Sequence, residues 1–306
     1  MEKDTLIAPS YYASFGCIGG ACRHSCCVGW EIDIDEQTLS LYEGMEGALG
    51  DRLRCSVCYD GTPHFALSEG ERCPHLNREG LCEIILEAGE GALCQICADH
   101  PRFYHESAYG CEVGLGLCCE AAAELILSRQ DPTTLVRQDG TPLVMRPSYR
   151  NTLFQILQNR TQTVPMRMRL LLALAGEGEM PSLGGLFDEV FSKMEYMDVP
   201  HTPRLLRDAC HRYENAAMWE GQEALFGEQL LHYFIYRYVT PGLRREARCA
   251  ATRFSFTSVR VIAALAYLMA EGAPRLCDWV EAARLYSSEI EYSLDNVKQL
   301  MQARYI

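Results

Sequence analysis

No apolar run in the 306 residues is long enough to cross a bilayer as a helix; the longest, VIAALAYLMA, spans ten, about half of what a membrane helix needs. The opening MEKDTLIAPSYYASFG lacks the charged start, apolar stretch and small-residue cleavage site of a secretory signal. Both absences predict a cytoplasmic protein with no membrane partner. Cationic excess is missing too: 28 Lys and Arg face 41 Asp and Glu, a net charge of −13. An acidic chain has little with which to hold phosphate, which argues against nucleic acid. No strand-like run leads into G-x-G-x-x-G, so a Rossmann-type pocket has no support. Internal repeats and low-complexity tracts are absent as well.

What the chain does have is cysteine. There are sixteen, and in a reducing compartment thiols do not staple a fold as disulfides, so metal ligation is the natural reading. Thirteen fall in the first 119 residues. Cys210, Cys249 and Cys277 sit alone among helix formers and read as buried packing thiols. Charge is as uneven: residues 1 to 130 carry 8 basic and 21 acidic side chains, and the remainder carries 20 of each. An acidic half of this kind suits a cationic substrate, or serves only to keep the domain in solution.

The hydrophobic content of 48% is enough for a core, and the pattern predicts a mainly α protein in which a loop-rich, cysteine metal-binding domain packs on a helical one. Residues 1–130 form the metal domain, 131–147 a linker or small hairpin around the Asp139-Gly140 turn, and 148–306 an antiparallel helical array with Gly and Pro between apolar runs. Within the first domain, GWEIDID alternates like a short edge strand, and EQTLSLYEGM after Asp35 reads as a helix start. NREGLCEIILEAG places the turn residues Asn77 and Gly80 before a short helix.

The stretch FGCIGGACRHSCCVGWEIDID holds Cys17, Cys22, Cys26 and Cys27 in the spacing C-x4-C-x3-C-C, which matches no common zinc knuckle. The pairs Cys55-x2-Cys58 and Cys94-x2-Cys97 could form a four-thiolate zinc site, but the residues between them exceed the usual zinc-ribbon gap. A radical-enzyme C-x3-C-x2-C motif begins at Cys22 and Cys26 and then fails at Gly29. A redox role for the C-x2-C pairs lacks a strand-helix context. Dense, irregularly spaced thiolates are more typical of an iron–sulfur cluster. His24 could replace one thiolate or, the favoured reading, donate to a sulfur, while His64, His75, His100 and His105 have loop positions and no ligand spacing and read as surface residues or neighbours of the ligands. Asp33 and Asp35 could position an amine or simply form a solvated edge. Adjacent side chains diverge in extended backbone, so Cys26 and Cys27 are expected to face different surroundings.

Four blocks in order, FGCIGGACRHSCCVGWEIDID, CPHLNREGLCEI, CADHPR and LCCEAAAEL, resemble the cysteine blocks of the flagellin lysine-N-methylase family, which shares this pattern with a wider group of zinc- or iron-chelating proteins. GEQLLHYFIYRYV and LYSSEIEYSLDNVKQL are similar to late helical blocks of the methylase. The resemblance implies S-adenosylmethionine-dependent methyl transfer to lysine side chains of flagellin, with a [4Fe-4S] cluster and with zinc as the alternative metal. Carried over by position, the family cysteines are Cys17, Cys22, Cys26, Cys27, Cys73, Cys82, Cys97 and Cys118; Cys55, Cys58, Cys94 and Cys111 lie outside the pattern, as local additions or an extra zinc site. His100 and Cys119 stand where an aromatic and a proline are expected, and the chain looks shorter than typical members. Catalytic and cofactor-binding residues are not identified. A non-catalytic zinc- or iron-binding or electron-transfer protein is the alternative. Lysine is scarce, with only Lys3, Lys193 and Lys298 against twenty-five arginines, which reflects genomic bias or suits an enzyme that modifies lysine.

Overall fold

A computed structural model describes residues 6–107, 109–176, 181–214, 221–270 and 272–303. Helix dominates among them, as the sequence pattern predicts. The chain divides into two compact units, one of Gly16–Phe103 and a larger one of Met1–Phe15 with Tyr104–Ile306.

The first strand, β1 (Ile7–Pro9), belongs to the larger unit. The smaller unit then follows, with α1 (Glu36–Gly44), α2 (Gly47–Cys55), the hairpin strands β2 (Val57–Cys58) and β3 (His64–Phe65), α3 (Glu83–Ala88) and α4 (Gln95–Asp99). Its core gathers Ile32, Ile34, Tyr42, Leu49, Leu53, Phe65 and Ile84. The segment read as an edge strand is extended, with Ile32 and Ile34 buried and Glu31 and Asp33 exposed. It lies against β3 through a bridge from Asp33 to His64 and a Phe65 N–H bond to the Ile32 carbonyl. Asp35 ends that segment and caps α1: its carboxylate accepts from the Thr38 amide at 3.0 Å and hydroxyl at 2.7 Å, and from the Gln95 amide of α4 at 2.8 Å. Asp35 is therefore a cap tying α1 to α4. Asp35→Ala is expected to cost about 1–2 kcal/mol, read by calorimetry of the full chain as a fall of several degrees in the melting midpoint of this unit.

The larger unit resumes with β4 (Arg102–Ser107), β5 (Gly110–Leu115), α5 (Glu120–Leu127) and β6 (Leu135–Arg137), giving the sheet order β4-β5-β1-β6. β1 pairs parallel to β5, Ile7 opposite Glu112, and antiparallel to β6, Ile7 opposite Arg137. The helices are α6 (Tyr149–Leu157), α7 (Val164–Leu174), α8 (Leu183–Glu189), α9 (Thr202–Arg212), α10 (Gly221–Tyr238), α11 (Arg245–Met269), α12 (Leu276–Tyr286) and α13 (Leu294–Gln302). α11 packs against α9, α10 and α12. It is long and apolar enough to cross a membrane, at mean hydropathy 1.2, which the ten-residue run did not suggest. However, 78% of that span is buried inside the protein, as in a core helix. Tyr236 of α10 donates to the carbonyls of Ile7 and Val113, fixing that helix to β1 and β5.

This division differs from the expected boundaries at 130 and 147. Residues 104–130 fold with the helical part, because β5 pairs with β1 and α5 packs on α12. The 131–147 stretch supplies β6 and a hairpin turn, with Gly140 at φ +81° donating to the Arg137 carbonyl. Cys210 is buried as expected of a packing thiol. Cys249 is only half-buried and Cys277 is exposed near the start of α12, so for these two the packing role does not hold.

Candidate metal centre

Cys27, Cys73, Cys82, Cys94 and Cys97 all pack into the core cluster of the smaller unit. Each is placed by local backbone. Cys27 follows Cys26 in a turn closed by the Val28 N–H on the Ser25 carbonyl at 3.1 Å, and the Ser25 hydroxyl accepts from the Cys27 amide. Cys73 is joined to it directly, its N–H donating to the Cys27 carbonyl at 2.8 Å. The turn from Asn77 to Gly80, with Gly80 at φ +74°, then reverses the chain so that Leu76 and Cys82 bridge. Cys82 caps α3 and Cys94 caps α4, with Cys97 one turn into that helix.

These positions surround the sulfurs with donors. The backbone amide of His75 near Cys73, and those of Ile84 and Ile85 near Cys82, favour the thiolate forms. Burial nevertheless pushes the Cys73 thiol up to about 12 and raises that of Cys82. Cys94 and Cys97 share a hydrogen bond that lowers Cys94 and raises Cys97, and the Tyr42 hydroxyl, 3.5 Å from the Cys94 sulfur, helps hold Cys94 low. Cys27 is lowered to about 7, first by a hydrogen bond from Cys26 and further by Ser25 and Arg72, against the effect of burial. Buried thiols that hold their protons are the poor state of such a set; soft cations that take thiolates would replace those protons.

The doublet meets the expectation in part. Cys26 is exposed while Cys27 is half-buried among the later cysteines, so their surroundings differ. Their side chains still share a hydrogen bond, because the two residues occupy the middle of a turn, where the alternation of extended backbone does not apply. Of the eight family-type cysteines, Cys27, Cys73, Cys82 and Cys97 come together. Cys17 and Cys26 are exposed and Cys22 half-buried in the first loop. Cys118 belongs to the larger unit. Cys94, left outside the pattern, joins the set; its C-x2-C spacing to Cys97 was the available signal.

The residues fit the metal group that the resemblance implies. A single tetrahedral zinc ion with bonds of about 2.3 Å needs its sulfurs about 3.8 Å apart. Among the described residues, the donors lying within 4.8 Å of one another are Cys58, Asp60 and His64, and not three of the five thiols. The fit rests on donor type: five thiols gathered at one core are soft ligands of the kind iron–sulfur groups take. His75, predicted to be a loop residue, is buried at 2% exposure, its Nε2 on the Ser56 hydroxyl at 2.8 Å and its Nδ1 without a hydrogen-bond partner. Burial and Arg52 lower its pKa to about 4, so a neutral ring stands two residues from Cys73.

The larger unit holds a second polar cluster that the sequence did not point to. A π-helical turn at Ser287–Glu291 follows α12, and turns of this kind often occur at functional sites. Glu291, 3% exposed, accepts from the hydroxyls of Tyr233 at 3.0 Å and Tyr238 at 2.9 Å and pairs with Arg237 at 3.3 Å. Cys118 donates to the Tyr292 hydroxyl at 3.1 Å, and burial pushes its thiol up to about 12. Both late blocks of the sequence, 227–239 and 285–300, thus meet in one buried network.

A helical scaffold with a thiol-lined candidate metal centre is the class these features define. The chain is 28% identical over 149 residues to proteins named Lysine-N-methylase from Salmonella typhimurium and Salmonella choleraesuis, a match covering 44% of this chain and 35% of each relative. It is also 28% identical over 143 residues to the flagellar biosynthetic protein FliU of Salmonella muenchen, covering 84% of that protein. The match thus spans about a third of the length of the lysine-N-methylases. These relatives support the resemblance to the flagellin lysine-N-methylase family. No family model and no solved structure matches the chain.

Proposed function

We propose that the protein transfers methyl groups from S-adenosylmethionine to lysine side chains of flagellin, with an iron–sulfur cluster held by thiols of the Gly16–Phe103 unit. The observation that carries this reading is the similarity to proteins named Lysine-N-methylase and FliU; the five gathered thiols support its metal part. In the transfer, the lysine nitrogen lone pair forms the N–CH3 bond as the S–CH3 bond breaks, S-adenosylhomocysteine leaves, and a proton passes from nitrogen to a base or to solvent. A free lysine has a pKa of about 10.4, so the site must favour the neutral amine. A bound cluster with an open iron would supply a ligand position for the amino and carboxylate groups of the cofactor. The chain's own contribution is the thiol set with its amide donors and an acidic surface, which draws a cationic side chain.

The test is anaerobic isolation, metal analysis, and incubation of the full chain with S-adenosylmethionine and flagellin from the same organism. Flagellin should gain mass in steps of one methyl group. Iron-loaded protein that leaves flagellin unchanged would instead favour the metal-binding or electron-transfer alternative.

A further inference from the structure

We infer that the β2–β3 hairpin carries a separate zinc site made by Cys58, Asp60 and His64. The hairpin register sets Cys58 directly opposite His64, which puts their side chains on the same face of the ladder. Asp60 lies in the connection between them, and one donor atom from each of the three residues falls within 4.8 Å of the others. A single ion bound by sulfur, nitrogen and oxygen needs that spacing.

The tautomer of His64 is already set for it. Nδ1 lies 2.9 Å from the Thr62 carbonyl, which can only accept, so Nδ1 carries the proton. The lone pair is then on Nε2, the nitrogen 3.7 Å from the Asp60 carboxylate. Orientation of a ligating imidazole by a backbone carbonyl on its other nitrogen is the usual arrangement around metals. His64 also faces Glu31, at 3.9 Å from Nδ1, and Asp33, so the field at the site is negative. Asp60 is exposed and Cys58 and His64 are half-buried, which leaves an ion free to enter and a fourth position open to water. Thiolate, imidazole and carboxylate together suit zinc better than magnesium or calcium, which take oxygen donors. Binding exchanges the Cys58 thiol proton for the ion and requires no oxidation or reduction.

The site is independent of the methylation reading, and its test can be kept separate from it. Zinc is titrated into the full chain, isolated with its iron, against a chromophoric chelator, and zinc and iron are both counted after dialysis. Wild type should hold one zinc more than Cys58→Ser or His64→Gln, with affinity at that step falling at least about 100-fold in either variant, beyond what loss of an outer hydrogen-bond partner brings. Cobalt in place of zinc should give a thiolate charge-transfer band that Cys58→Ser abolishes. Iron content should be the same in all three proteins. His64→Gln is read alone if Cys58→Ser fails to fold, since glutamine keeps the residue's polarity and approximate bulk. Equal zinc stoichiometry and affinity in wild type and His64→Gln would overturn the site, whatever the iron or methylation results.

Discussion

If the proposed cluster is present, Cys82→Ser is expected to strip iron from the anaerobically isolated protein, to fewer than one atom per chain where a [4Fe-4S] cluster supplies about four, and to bleach the cluster's visible absorbance. Cys82 packs with Cys27, Cys73, Cys94 and Cys97, and the nearby Ile84 and Ile85 amides favour its thiolate. A hydroxyl in its place is a hard, protonated group that soft metal centres do not favour. The substitution is also a mild one for the fold. Residue 82 is the N-cap of α3, and serine is among the best capping residues, so helix content should not change. Cys94→Ser, at the cap of α4, should behave in the same way. Cys55→Ser, exposed and outside the set, should keep its iron. Metal analysis alongside far-ultraviolet dichroism reads both quantities; iron retained at the wild-type level in folded Cys82→Ser would remove this thiol from the proposed ligands.

Glu112→Gln should destabilise the larger unit by about 3–5 kcal/mol, because it leaves a buried guanidinium without its charge partner. Glu112 is fully buried in β5, with Arg150 bonding both carboxylate oxygens at 2.7 and 2.8 Å and His105 Nε2 at 2.8 Å. Burial would raise its pKa, but the bonds from His105 and Arg150 override it and hold the carboxyl down at about 2, below the ordinary 4.5. The folded protein therefore binds this proton less readily than the unfolded chain. The resulting stabilisation, about 3 kcal/mol, is complete above pH 4.5 and is lost as pH falls from there towards 2. Urea unfolding of wild type at pH 6 and pH 3 should show that loss, and Glu112→Gln should lack this part of the pH dependence. A variant with the wild-type slope between these two pH values would mean that Glu112 is not the group responsible.

The helical architecture was legible because Asp35, Asn77, Gly80 and the Gly and Pro breaks act locally: caps and turns are written within a few residues of where they operate. The unit boundary was not, because nothing near Ile7 announces that its partners are Glu112 and Arg137. The thiol set was legible by residue type and half-legible by membership. The resemblance singled out eight cysteines, of which Cys27, Cys73, Cys82 and Cys97 gather here, while Cys94 depends on the tertiary placement of Tyr42 against α4. His64 lacked ligand spacing on a linear count, since its partner Cys58 is brought opposite by a hairpin register. Glu291 and Glu112 could not be told from surface acids, as their burial is set by tyrosines and arginines from distant helices.

The interruption of the larger unit's chain bears on the order in which the protein is built. β1 leaves the ribosome first but cannot be paired until β5 and β6 have been made, about a hundred residues later, and closing so long a loop is entropically slow. The Gly16–Phe103 segment is complete well before that and has its own apolar core, so it can fold while the strand before it waits. During synthesis the three residues Ile7, Ala8 and Pro9, all buried in the finished protein, are an unpaired edge. Stalled chains whose emerged part ends between residues 103 and 110, before β5, should therefore protect the 16–103 amides from hydrogen exchange while leaving those of β1 open.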